Sequence, residues 1–274
     1  MSDDTSTAGS GSGELPLAER DAAHVPGHWL LARLGKRVLR PGGRELTERM
    51  LADAKIAGAD VVELAPGLGR TAQEIVAAGP RSYTGVESDP SAADLTRRAI
   101  DGNGIVVSGD AAKTGLDDAS VDVVIGEAML TMQTDKHKAE IAAEAHRVLR
   151  QGGRYVIHEL AIEPDNVADE VKTEIRQALA RSIKVNARPL TAQEWKDLFV
   201  AAGFEVDTVG FAPMKLLDPT RILADEGVLG TLKFVSNVLR DSDARARVLQ
   251  MRSVFTKYRD HLVAIEVVAR KTAA

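Results

Sequence analysis

The feature that most constrains this 274-residue chain is an alternation. Short apolar runs take turns with stretches of helical periodicity, and the apolar runs end on an acid or a glycine turn. Asp60–Leu64, Ser82–Val86, Ile105–Ser108, Val121–Gly126 and Arg154–Leu160 read as strands. Thr71–Ala78, Pro90–Ile100 and Lys136–Leu149 read as helices, the last stopped by Gly152-Gly153. Strands spaced by helices of about ten residues predict βαβ units and a parallel sheet covered on both faces. Right-handed crossovers then set the topology. Further on, helices are expected near Val167–Arg181 and over Thr191–Ala202, then a strand over Glu205–Phe211 and a last strand over Leu262–Arg270.

Three segments fall outside that alternation. Residues 1–13, mostly Ser, Thr, Gly, Asp and Ala, have too little apolar surface to offset chain entropy and are expected to be a disordered tail. Residues 14–57 are expected to form a helical cap. Trp29, Leu30, Leu31, Leu34 and Val38 predict a helix over His28–Leu39, Arg40-Pro41-Gly42-Gly43 stops it, and a second helix covers about Arg44–Ile56. Residues 212–259 separate the last two strands, and a connection of that length is often functional. They read as helices over Thr220–Asp225, Val228–Arg240 and Ala244–Tyr258, hence a helical lid on a core of residues 58–211 and 260–274. Within it, Lys233, Arg240, Arg245, Arg247, Arg252, Lys257 and Arg259 outnumber the acids, with apolar residues interleaved. Such a segment either packs its apolar face on the core or meets a membrane surface or an acidic substrate. Met214, Leu216, Leu217, Ile222 and Leu223 either line an apolar acceptor pocket or pack the lid.

Composition removes several functions. There is no cysteine, so no disulfide, thiolate metal site or cysteine nucleophile. A net charge of −5 and 4% aromatic residues give no general basic field and few stacking surfaces, which argues against nucleic acid. No apolar run approaches the roughly 18–20 residues that span a bilayer. No basic-then-apolar leader is visible, so the protein is expected to be soluble and cytoplasmic without stable membrane insertion.

Ligands of open α/β sheets bind at the carboxyl ends of the parallel strands. Here the first such end carries Glu63-Leu64-Ala65-Pro66-Gly67-Leu68-Gly69, whose glycines allow close backbone approach ahead of a helix N-terminus. The second carries Glu87 and Ser88, the third Gly109-Asp110-Ala111 and the fourth Glu127. An acid 20 residues after Gly67 suits ribose hydroxyls. Taken in order, these residues resemble the class I S-adenosylmethionine-dependent methyltransferases, in the small-molecule group that includes the ubiquinone and menaquinone enzymes. Ala65 stands where that family more often has its first glycine. The stretch Arg147–Gly153 also resembles the family's approach to its fifth strand.

The resemblance implies a Rossmann-like, seven-stranded, mostly parallel sheet with helices on both faces, Leu262–Arg270 being inserted antiparallel. It implies S-adenosylmethionine held by Glu63, Ala65, Gly67, Gly69, Glu87, Ser88, Gly109, Asp110, Ala111 and Glu127, with His28 and its helix closing over it. The methyl acceptor is expected to be a small, apolar or aromatic metabolite under the lid, with a second copy of the chain as an open partner. In-line transfer depends mainly on proximity. If a general base is needed, His158 on the ligand-facing rim is the first candidate and Glu127 the second. No metal is expected, since no two-histidine helix motif or carboxylate cluster has ligand spacing. Two alternatives remain: a non-catalytic S-adenosylmethionine-binding protein, and a nicotinamide-dependent oxidoreductase. The latter's Gly-x-Gly-x-x-Gly fingerprint is only approximated by Gly67-Leu68-Gly69-Arg70-Thr71-Ala72.

Overall fold

A computed structural model describes residues 15–17 and 19–272; the tail expected over 1–13 lies outside the described residues. In chain order the elements are α1 (Gly27–Arg33), α2 (Gly43–Ala54), β1 (Asp60–Leu64), α3 (Arg70–Ala77), β2 (Ser82–Glu87), α4 (Pro90–Ile100), β3 (Ile105–Ser108) and β4 (Val121–Glu127). A 3-10 turn (Leu130–Met132) leads to α5 (Asp135–Val148), β5 (Leu149–Ile162), α6 (Asp169–Ile183), the two-residue β6 (Leu190–Thr191) and α7 (Ala192–Ala201). β7 (Phe204–Pro213), α8 (Pro219–Arg240), α9 (Ser242–Lys257) and β8 (Leu262–Lys271) complete the chain.

Seven strands lie in the order β3-β2-β1-β4-β5-β8-β7, with β6 pairing β5 off that path. β8 runs antiparallel to both neighbours, from Arg154↔Arg270 to Ile162↔Leu262 on β5. The expected α/β architecture is met, including the antiparallel last strand. Between β1 and β4 the strand order reverses direction, which opens a crevice above their carboxyl ends.

Alternation along the strands decides what faces what. Val61, Val123, Ile125, Val156 and Val268 pack with Met50 of α2 and Ile75 of α3. Val62, Val124, Tyr155, Ile157 and Val267 pack on the other side with Ile141, Trp195 and Phe199. By the two-residue period, Glu63, Glu127, His158 and Glu266 all fall on the first face, on four adjacent strands.

Three boundaries differ from expectation for identifiable reasons. The first helix ends at Arg33 and does not reach Leu39. Gly35 takes φ +100° and its N–H caps Ala32, a left-handed stop that glycine makes cheaply. The N–H groups of Arg37 and Val38 then go to the Glu226 carboxylate of α8, at 2.8 Å each. Gly152-Gly153 does not stop α5; it lies inside β5, beside the register shift against β4. The two helices expected over Thr220–Asp225 and Val228–Arg240 form one element, α8, broken by Gly227 at φ 70°. Lys36, fully buried, lies 3.6 Å from Asp225 and 3.7 Å from Glu226, so the N-terminal cap and α8 are joined by a buried ion cluster.

Candidate active site

A cavity of about 420 Å³ occupies the crevice above β1 and β4. Its floor is the turn after β1. Ala65 donates its N–H to Val86 at 2.8 Å and then turns left-handed at φ 52°, followed by Gly67 at φ 59° and Gly69 at φ 71°. The two glycines serve different ends. A Cβ on Gly67 would come no closer than 3.9 Å to any atom, so its left-handed backbone alone demands glycine there. A Cβ on Gly69 would lie 2.6 Å from Ala99 and 2.9 Å from the Thr96 backbone, so Gly69 allows α3 and α4 to pack.

Glu87 sits beside this turn. One oxygen accepts the Gly67 N–H and the other the Asp89 N–H, each at 3.0 Å. Both oxygens keep a lone pair, and Glu87, Ser88 and Asp89 all border the cavity. Glu63 also borders it, with one donor, the Tyr83 hydroxyl at 2.6 Å. Burial pushes its carboxyl up to about 8, against that hydrogen bond.

Glu127 has the opposite surroundings. It accepts from Arg40 at 3.1 Å, from His158 Nδ1 at 2.8 Å, and from the hydroxyls of Thr47 and Thr71. Burial opposes ionisation, but the Arg40 charge and the hydrogen bonds from His158 and Thr47 outweigh it and hold the carboxyl at about 2. Arg40 also reaches Glu74 at 3.0 Å. His158 completes the set: its Nε2 accepts the Gly42 N–H at 2.9 Å, which leaves the Nδ1 proton for Glu127. Gly42 could not be larger, because a Cβ there would overlap Leu46 and Ala264.

The structure therefore brings Glu63, Ala65, Gly67, Glu87, Ser88, Glu127 and His28 to one cavity. It does not bring His158 to the rim. The imidazole is fully buried beneath Glu127, outside the cavity lining, and both ring nitrogens are engaged within the protein. Glu127 reaches the cavity, but four donors and a depressed pKa leave it little basicity. Neither geometry suits a general base, and both suit positioning. Gly109, Asp110 and Ala111 lie outside the lining; Asp110 is more than half exposed, accepts the Ala112 N–H at 2.7 Å and faces His137 at 3.5 Å. His28 faces the cavity beside Trp29, ring centroids 4.8 Å apart, and burial lowers it to about 4, so it is neutral near pH 7.

Sequence reasoning missed Arg40, Thr47, Thr71 and Glu159. Glu159 is fully buried and borders the cavity. Its carboxylate accepts the N–H groups of Met129, Leu130 and Thr131, at 2.8, 2.6 and 3.1 Å, and so fixes the loop after β4. The available signals were the adjacent pair His158-Glu159 inside an apolar strand and a Pro-Gly-Gly turn directly behind an arginine.

The far wall is apolar. Leu179 and Ile183 of α6 meet Met214 and Leu216 after β7 and Met251 and Phe255 of α9. Of the apolar residues considered for this wall, Leu217 and Ile222 belong to the core shared by the insertion and the N-terminal helix, and Leu223 is exposed.

Comparison with known proteins identifies the domain and the fold. The sequence model described as a methyltransferase domain matches residues 62–157. An uncharacterized protein of Haemophilus influenzae is 34% identical over 248 residues, covering 87% of this chain and 96% of its own. Among solved structures, geranyl diphosphate methyltransferase in complex with GPP and sinefungin aligns with TM-score 0.60 at 16% identity, over 83% of this chain and 77% of that one. MccD protein aligns with TM-score 0.65 at 17% identity, over 86% and 100%. The [4+2]-cyclase SpnF aligns with TM-score 0.62 at 16% identity, over 84% and 81%. These likenesses carry the fold. The chain belongs to the class I S-adenosylmethionine-dependent methyltransferases, in one family with the Haemophilus protein. The residues present fit that cofactor: a buried carboxylate with a single donor and an open glycine turn face the same cavity.

Proposed function

We propose that the protein methylates a small apolar or aromatic metabolite held between α6 and the α8–α9 insertion, which acts as a lid. The observation that carries this reading is the two-sided cavity, with Glu63, Gly67, Glu87 and Ser88 at one end and Leu179, Ile183, Met214, Leu216, Met251 and Phe255 at the other. S-adenosylmethionine supplies an already electrophilic methyl group, so the protein's main task is orientation, which can provide several kcal/mol. In this reading Glu87 accepts from the ribose, Glu63 faces the ammonium end, and the Gly67 turn lets the backbone come close. Glu127 and His158 act through the N-terminal cap. They hold Arg40 and Gly42, and hence the segment carrying His28 and Trp29, over the sheet. The apolar wall excludes water and charged competitors from the acceptor end.

Calorimetry with S-adenosylhomocysteine tests the cofactor half; absence of binding at millimolar concentration would sink it. Labelled S-adenosylmethionine supplied with a panel of apolar and aromatic acceptors tests the other half. Met214→Glu, at a half-buried lining position, is expected to abolish turnover while leaving S-adenosylhomocysteine affinity unchanged, and equal loss of both in a variant that melts like the wild type would place the acceptor elsewhere.

A further inference from the structure

The outer face of α8 is an apolar stripe that the fold leaves exposed. Val228, Leu229, Leu232, Val235 and Leu239 are 64%, 84%, 62%, 44% and 62% exposed. Stepping about 100° per residue, they fill an arc of roughly 120° on one side of the helix. Lys233 and Arg240 border that arc, and no acid occurs between Val228 and Arg240. The opposite side of the same helix is well fixed. Phe234 is buried among Leu30, Leu31 and Met251, and Asn237 donates to the Leu34 carbonyl at 3.0 Å. α8 therefore already has a core face, and the stripe is a second, outward one.

We propose that α8 is an interfacial helix that seats the protein on an anionic lipid bilayer. Three observations favour lipid over other occupants. The residues 228–240 combine large exposed aliphatics with a cationic border, the pattern of helices that lie in a membrane interface. Exposed Arg245 and Arg252 of α9 add to the same sign, and Asp241 spends its charge on the N–H groups of Asp243 and Ala244. The chain as a whole carries −5, so a basic patch gives the approach to an anionic surface one orientation. A second copy docked antiparallel on this stripe about a twofold axis would bring the cationic borders of the two helices, Lys233 and Arg240 of each, along the same edge, a like-charge contact that lipid phosphates avoid. No helix among the described residues is long and apolar enough to cross a membrane, so the contact is peripheral. The same insertion carries, on α9 and the segment before α8, part of the apolar wall of the cavity. The docking claim itself does not depend on the acceptor.

Vesicle flotation of the full chain tests it. The protein is expected to float with vesicles of equal parts phosphatidylglycerol and phosphatidylcholine, and to be released by high salt. Leu229→Glu with Leu232→Glu is expected to lower partitioning at least about tenfold, because two aliphatic anchors are lost to charge. Lys233→Glu with Arg240→Glu is expected to remove the preference for anionic vesicles. Thermal melts of both variants check folding; if the leucine pair unfolds, Leu229→Gln alone takes its place. Three results overturn the proposal: no flotation of the wild type, equal flotation with pure phosphatidylcholine, or a wild-type dimer by light scattering that the leucine variant converts to monomer.

Discussion

The carboxyl ends of β1 and β4 are neighbours in the sheet, and each carries a glutamate facing the same cavity, Glu63 buried and Glu127 with 7% of its side chain exposed. Their surroundings differ sharply. Glu63 has one donor, a tyrosine hydroxyl, and is pushed up to about 8. Glu127 has an arginine, a histidine and two threonines, and is held at about 2. Two carboxylates driven apart in this way have different tasks. The β4 carboxylate is fully used inside the protein, where it ties the N-terminal cap to the sheet. The β1 carboxyl is pushed by burial toward its neutral form and has a single donor, so an incoming cation is what would favour its ionised form.

The largest effect is expected at β4. Glu127→Gln leaves the buried Arg40 guanidinium with Glu74, at 3.0 Å, as its one remaining carboxylate; breaking a buried pair from one side costs about 3–5 kcal/mol, and the surviving Glu74 contact should hold the loss to about 2–3 kcal/mol. Urea denaturation followed by circular dichroism should show the loss. Adding Arg40→Met to Glu127→Gln should restore part of it, because the charge then left without its partner, Glu74, is partly exposed to solvent and the buried cation is gone. If the single change costs under about 1 kcal/mol, the network is not what fixes the cap.

At β1 the effect is expected in binding. With the carboxyl pushed up to about 8, placing a ligand's ammonium group against it near pH 7 should expel the Glu63 proton. Calorimetry of S-adenosylhomocysteine in buffers of different ionisation enthalpy should record that release, and Glu63→Gln should abolish it. The lost charged hydrogen bond should weaken binding by about 1.5–3 kcal/mol, roughly ten- to a hundredfold. Unchanged proton release in the variant would mean that Glu63 does not meet the ligand's charge.

The same two groups give stability opposite pH limbs. Glu63 titrates higher in the folded chain than its ordinary 4.5, so its contribution is complete below that value and is lost as pH rises through about 8. Glu127 titrates lower, so its contribution is present above 4.5 and is lost as pH falls toward about 2. Denaturation midpoints across pH should therefore lose the alkaline slope in Glu63→Gln and the acid slope in Glu127→Gln.

How much of this was readable in advance follows the same division. The β1 end was legible because its chemistry is local: an acid, a positive-φ turn and a helix start lie within Glu63–Gly69. The sheet was legible because buried strands and helices differ in period. The β4 end was not, since Glu127 is explained by Arg40 and Thr47, 87 and 80 residues away, and by His158 on the next strand. His158 was placed on the rim because a histidine at a strand end normally looks outward to the ligand crevice. The Gly42 N–H, brought in by a turn whose only visible signal was Pro-Gly-Gly, turns it into an interior group. The end of α1 was misjudged for a similar reason: the apolar spacing continues to Val38, but Glu226, from the insertion, takes the N–H groups a helix would have used.

The smallest effects concern the backbone of the two ends. Ala65 after β1 and Ala128 after β4 adopt nearly the same left-handed conformation, φ 52° and 53°. Each first extends the ladder by one bond, to Val86 and to His158, at 2.8 Å in both cases. An L-residue held there costs about 1–2 kcal/mol, of which glycine would return all but the roughly 0.4–1 kcal/mol lost to its freer unfolded chain. Ala65→Gly and Ala128→Gly should therefore each stabilise the protein by about 0.5–1 kcal/mol, a rise of roughly 1–4 °C in Tm for a chain of this size. The two substitutions separate backbone strain from side-chain role. At β4 the carboxylate is anchored by four donors, so a looser Ala128 should leave S-adenosylhomocysteine affinity unchanged. In the proposed reading the β1 turn itself meets the ligand, so Ala65→Gly should stabilise the fold while weakening binding, because a more mobile turn must be ordered by the ligand. Equal behaviour of the two variants in binding would remove the distinction between a β1 end kept for the ligand and a β4 end committed to the fold.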